Sequence, residues 1–188
     1  MLLTGGCAAP EVLEPRTGTV PAGVDLSGDW LIRNNRRGDQ QQLRDAIRRT
    51  DGLRDDEIFG ASSRPSANPS SRTRSRSTRG GLVHVFLETG SSLKVTQTEH
   101  GLFIAFDRAV VEEFRFGENR IVNVGEVQAQ RVTGWEGEQL VVETLDRNEM
   151  KLTERYRLAD GGAVLEREIT FRSSRGETET IVQLFDRQ

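Results

Sequence analysis

Cysteine is nearly absent from this chain of 188 residues: Cys7 stands alone, so no intrachain disulfide can form. Histidine is almost as scarce, with His84 and His100 the only two. There is no HExxH motif, no Cys/His cluster and no carboxylate array at ligand spacing, so the sequence supports no metal site. No GxSxG, P-loop or GxGxxG element occurs in the right context, and nothing points to a catalytic triad or to a cofactor. No apolar run approaches the ~20 residues that span a bilayer as a helix. The sequence reads as a soluble or anchored chain. Lysine is confined to Lys94 and Lys151, and arginine supplies nearly all the positive charge. A net charge of −3 argues against a protein that is basic overall and wraps nucleic acid.

What is present is polar. Hydrophobic residues make up 35% and charged residues 29%, so part of the length is expected outside the core. The largest such part is 61–80, which holds seven Ser, five Arg and two Pro without an acid or a large apolar side chain. Nothing there repays the entropy of ordering, and the stretch reads as a disordered loop. Its arginines (Arg64, Arg72, Arg74, Arg76 and Arg79) suit either a solvated linker or a contact with phosphate-rich surfaces. With no interleaved aromatics they do not stack bases, so sequence-specific nucleic-acid binding is not expected.

Secondary structure follows from periodicity. Residues 26–33, carrying Gly28 and Trp30, read as a first strand. Leu43, Ala46 and Ile47 fall at helical spacing within 40–49. The run 82–88 is too short to type by period; a short helix plugging or flanking a barrel is preferred, with a strand nearly as good. From Leu93 onward eight strand-like runs recur: 93–98, 102–106, 110–116, 127–134, 139–145, 150–158, 163–172 and 178–186. The fold class is therefore mainly β. We expect an antiparallel up-and-down meander of about eight or nine strands, forming a small barrel or strongly curled sheet, with one or two short helices.

Two hairpins fix the inner face. A two-residue turn at Glu99-His100 places Leu93 opposite Phe106, Val95 opposite Ile104 and Gln97 opposite Leu102. A two-residue turn at Asp160-Gly161 places Tyr156 opposite Leu165, Leu152 opposite Ile169 and Met150 opposite Phe171. The same register sets Glu154 directly against Arg167 on that apolar face. Each charge makes sense there only through the other. Glu154, Arg167 and Tyr156 are the candidate cavity residues. They are either an inward ion pair that fixes register or a polar spot that orients a ligand's head. Catalysis by Glu154 is the weakest of the three readings, because a paired carboxylate is a poor proton donor near neutrality. Trp135, before the Glu136-Gly137 turn, reads as a hairpin-end aromatic or an exposed rim contact.

Two short motifs carry resemblances. Gly5-Gly6-Cys7 resembles the lipobox of bacterial lipoproteins, with Thr4 in the position where that family usually carries Leu. The resemblance implies acylation of Cys7, a start codon upstream of Met1, and an extended tether through residues 17–24. Ala8, in place of the Asp that marks inner-membrane retention, favours the periplasmic face of the outer membrane. Residues 1–24 are thus expected as tail and tether, and 25–188 as the folded domain. Gly28-Asp29-Trp30 resembles the Gly-x-Trp signature of the lipocalins and related calycins. There the Trp closes one barrel end beneath an Arg from a late strand, for which Arg172 and Arg187 are the candidates. The resemblance implies an apolar-lined barrel able to hold a small amphipathic or hydrophobic molecule. The leading expectation is a non-enzymatic envelope lipoprotein that binds such a ligand or an envelope component. Its rivals are an assembly accessory with a filled core and a small enzyme using Glu154.

Overall fold

The computed structural model describes residues 11–33, 36–51 and 83–188; Cys7 and the 61–80 stretch lie outside the described residues. The chain forms β1 (Gly28–Ile32) and α1 (Arg36–Asp51), then a 3-10 turn at Val83–Phe86. Nine strands follow: β2 (Ser92–Gln97), β3 (Gly101–Phe106), β4 (Val110–Arg115), β5 (Asn119–Val124), β6 (Val127–Glu136), β7 (Gln139–Asp146), β8 (Lys151–Ala159), β9 (Val164–Arg172) and β10 (Thr178–Arg187). All belong to one antiparallel sheet in the order β4-β3-β2-β1-β10-β9-β8-β7-β6-β5, curled into a half-barrel. The first and last strands pair in the middle of the sheet, and β4 and β5 are its two edges.

The described residues form ten strands, where the sequence suggested eight or nine. The additional strand is β5. Ile121 and Val124 on it are exposed, so its sequence lacks the alternation that a half-buried strand displays. Of the run read at 82–88, Val83–Phe86 form a 3-10 turn, and Val83 and Phe86 join the core.

The β2–β3 hairpin has the expected register, with Leu93 opposite Phe106 and Val95 opposite Ile104. The β8–β9 register differs. Tyr156, not Glu154, lies opposite Arg167, and Leu152 lies opposite Phe171. The connection is a 3-10 turn at Asp160–Gly162 followed by Ala163, in which Asp160, Gly161 and Gly162 all adopt positive φ (50°, 64° and 93°). Accommodating that left-handed run takes two more residues than a two-residue turn. Because strand side chains alternate with a period of two, a two-residue slip leaves the inward set unchanged.

Helix α1 lies along β9 and β10. Leu43, Ala46, Ile47 and Thr50 form its buried stripe, and Arg48 and Arg49 in its last turn complement the helix dipole. Arg49 makes a two-pronged contact with Glu179 on β10 at 2.8 and 3.0 Å. None of the described helices is long and apolar enough to cross a membrane.

Residues expected as a free tether are in fact docked on the sheet. Leu13 is buried against Val132 and Leu145, Thr17 bridges to Trp135, and Val20 and Val24 pack on the core. Arg16 pairs with Glu136 and Glu143, and Glu11 with Lys151 and Arg172. This N-terminal strap buries Trp135 to 3% exposure, which removes the exposed-rim reading of that residue.

Candidate functional site in the sheet interior

The inner face carries two apolar clusters. One surrounds Trp30, Leu102, Ile104, Phe106, Tyr156 and Phe185 at the end marked by the start of β1 at Gly28. The other lies beneath α1 and the 3-10 turn and includes Leu43, Phe86, Leu152, Ile169 and Phe171. A polar layer separates them. Tyr156, Arg167 and Gln183 occupy one row across β8, β9 and β10, and all three are buried. Glu154, two residues before Tyr156 on the same face, meets Arg167 diagonally.

The layer is densely bonded. Arg167 donates from Nε and Nη2 to Glu154 Oε2 at 3.0 and 2.5 Å. Its Nη2 also donates to the Glu88 carbonyl at 2.9 Å and its Nη1 to Gln183 Oε1 at 3.3 Å. The Tyr156 hydroxyl donates to Glu154 Oε2 at 2.7 Å. The guanidinium also faces the rings of Phe106 and Tyr156, 5.2 and 5.5 Å from their centroids. Burial, with the Glu154 carboxylate beside it, holds the Tyr156 phenol well above its ordinary range. For Arg167, burial opposes the charge, but the oxygens of Tyr156 and Glu154 outweigh it and hold the guanidinium above its usual value.

A second buried arginine joins this layer from the opposite side. Arg131 on β6 is 4% exposed and reaches Glu112 on β4 at 3.1 Å, Thr144 on β7 at 3.1 Å and the Phe86 carbonyl at 3.3 Å. It sits between the rings of Phe86 and Phe114. The contact with Glu112 crosses the opening between β4 and β5, as does the bond from Arg120 to the Glu113 carbonyl at 2.9 Å. The pattern that could have revealed it is the alternation Ala129, Arg131, Thr133, Trp135, which places Arg131 among inward residues.

The 83–90 segment roofs the layer rather than any strand. Glu88 gives its carbonyl to Arg167, and its own carboxyl is pushed up by burial and by the neighbouring Glu112. The larger hollows lie elsewhere. A groove of about 580 Å³ runs past Gly18 and His100, and one of about 660 Å³ past Leu31 and Lys94; neither is lined by Glu154, Arg167 or Tyr156. A small hollow beneath α1 touches Gln183 of the layer.

At the far end, Arg187 lies over Trp30, 4.2 Å from the ring centroid, and donates to the Ser27 and Gly162 carbonyls at 2.8 and 2.9 Å. Trp30 Nε1 donates to the Leu26 carbonyl at 3.1 Å. Gly28 is required there by its φ of 153° and by the close passage of the Arg187 guanidinium. Arg172, the other candidate for this role, pairs with Glu11 of the strap instead. Of the two histidines, His84 is buried in the 3-10 turn and His100 sits in an exposed turn; the described residues contain no group of His, Cys, Asp or Glu arranged to hold a metal.

Comparison with solved structures finds a similar fold. A secretory abundant heat soluble (SAHS) protein from Ramazzottius varieornatus matches at a TM-score of 0.50 and 12% identity, over 93% of this chain and 100% of the other. SAHS protein 4 from the same organism matches at a TM-score of 0.49 and 14% identity, over 90% and 99% of the two chains. The likeness is one of fold. No family model matches the sequence, and no curated protein matches it.

Proposed function

We propose that this protein is a non-enzymatic binding protein of the bacterial envelope, anchored through Cys7. It would hold a small amphipathic ligand or envelope component against the inner face of its half-barrel. The observation that carries the reading is the polar layer of Glu154, Tyr156, Arg167 and Gln183 between two apolar clusters, roofed by a non-sheet segment. A buried ion pair contributes little net stability over well-packed apolar residues, so holding the fold together is a weak reason for it. A polar spot in an apolar surround is how small-ligand sites orient a head group. A ligand would enter by lifting the 83–90 segment, breaking the bond from Arg167 to the Glu88 carbonyl, with the tail running along Leu152, Ile169 and Phe171.

A specific observation favours a second reading. Trp30, Leu102, Phe106, Tyr156 and Phe185 fill the interior at no more than 2% exposure each. On that reading the core is complete and the protein works through its outer surface as an assembly accessory. Native mass spectrometry of protein purified from its own envelope separates the two. The binding reading expects an acyl mass on Cys7 and a co-purified small molecule. An unmodified chain that carries nothing would refute both anchor and carrier.

A further inference from the structure

Asp39 is out of place in the apolar stripe of α1. It lies one turn before Leu43, on the same side of the helix, and is 3% exposed. Among the described residues its Oδ2 has no hydrogen-bond partner. Beside it is a hollow between α1, β1, β10 and the 83–90 segment, with polar walls from Asp39, Gln40, Thr89 and Gln183 and apolar walls from Ile32 and Leu43. The centre of a water-sized group has about 20 Å³ in which to move there, enough for one such group. Gln183 joins this hollow to the polar layer, since it accepts from Arg167.

The charges point one way. Every guanidinium nitrogen of Arg167 and Arg131 already donates to a protein acceptor, so both cations are engaged within the layer. Among the described residues, the layer and its margin set the carboxyls of Asp39, Glu88, Glu112 and Glu154 against the cations Arg167 and Arg131. The group without a partner is an acid. Burial pushes the Asp39 carboxyl above its ordinary range, as expected of a site that lacks its counter-charge.

We infer that the ligand of this protein presents a primary ammonium group, which enters the hollow beneath α1 and pairs with the unpartnered carboxylate of Asp39. This rests on the binding role proposed above and gives that role its head-group chemistry. An –NH3+ group is the size of a water and has three donors. Asp39, Gln183 and Thr89 offer three acceptors, while Ile32 and Leu43 receive the first methylenes. A trimethylammonium is too large for the hollow and has no donor; a carboxylate meets like charge.

The test is calorimetric titration of the full chain with decylammonium, decyltrimethylammonium, decanoate and decanol, each below its micelle concentration. Decylammonium should bind at least about tenfold more tightly than decanoate or decyltrimethylammonium. Asp39→Asn should remove that advantage while changing decanol affinity far less, since decanol brings no charge to the carboxylate. The variant is expected to fold, because it removes an unpaired buried charge. Tighter binding of decanoate would overturn the inference and leave the binding role standing. So would an Asp39→Asn chain that retains full preference for decylammonium, whatever its melting temperature. Failure of all four probes, decanol included, would sink the binding role and the inference together.

Discussion

Replacing Arg167 with Met and Glu154 with Leu, singly and together, tests whether the two charges are buried on each other's account. Arg167→Met leaves the Glu154 carboxylate with only the Tyr156 hydroxyl, and withdraws a donor from the Glu88 carbonyl and from Gln183. Breaking a buried pair in this way costs about 3–5 kcal/mol, and each stranded acceptor adds about 1 kcal/mol more. Against a total of about 5–15 kcal/mol for a domain, either single change removes a large share of the stability. The double replacement takes out both charges and leaves the Tyr156 hydroxyl, the Glu88 carbonyl and Gln183 Oε1 without these partners, so its cost should fall to about 3 kcal/mol. Urea unfolding followed by circular dichroism gives all four values and hence the coupling between the sites. Additive single costs, or a single cost below about 1 kcal/mol, would refute the account of a sealed, mutually dependent pair.

Three further outcomes are expected. Gly134→Val should undock the N-terminal strap, because a Cβ there would sit 2.5 Å from the Thr17 carbonyl oxygen and 2.6 Å from Arg16 Cβ; trypsin should then cut after Arg16 much faster than in the parent, and unchanged resistance would count against the docking. Acid should release the same strap. Burial raises the Glu143 carboxyl, but Arg16 and Lys151 outweigh it, and Arg172 and Lys151 do the same for Glu11, so both are held below the ordinary carboxylate range. A depressed carboxyl contributes fully above its unfolded value and loses that contribution as pH falls through its folded value. The Trp135 amide, which donates to the Thr17 carbonyl at 2.9 Å, should therefore lose hydrogen-exchange protection below about pH 4, and protection that persists to pH 2 would contradict the assignment. Arg187→Ala should cost only about 0.5–1 kcal/mol, since the guanidinium is exposed, while shifting Trp30 emission to longer wavelength; an unmoved spectrum would mean that the stacked contact does not shield the indole.

The meander was legible because most of its strands are buried on one side and polar on the other. Leu93, Val95 and Gln97 against Phe106, Ile104 and Leu102 could be paired from sequence because Glu99-His100 closes in two residues. The β8–β9 pairing could not, since nothing local distinguishes a two-residue turn at Asp160-Gly161 from the longer left-handed turn that also uses Gly162. The error left the site intact: Glu154 and Arg167 point inward in either register, and a diagonal neighbour is within reach of an arginine. Asp39 and the strap were missed for another reason. Asp39 is one acidic residue at the start of a helix, where acids are common, and only tertiary packing shows that it faces inward. The strap has no periodicity of its own; Leu13 and Arg16 acquire partners only once β6 and β7 are side by side.

Chain order and spatial order in this sheet differ by a rotation. The sheet runs from β5 through β10 to β1 and on to β4, and the Gln188 amide bonds the Asp29 carbonyl at 2.9 Å, so the chain leaves β10 directly beside the first strand. A rearranged chain that starts at β5 and ends with β4, with the strap left out and a short linker joining Gln188 to the start of β1, would have strands that follow one another in space as they do in sequence. The one pairing that now spans almost the whole chain would become a local hairpin. Such a molecule should fold faster than its parent into the same sheet, because long loops would no longer have to close before the central strands meet.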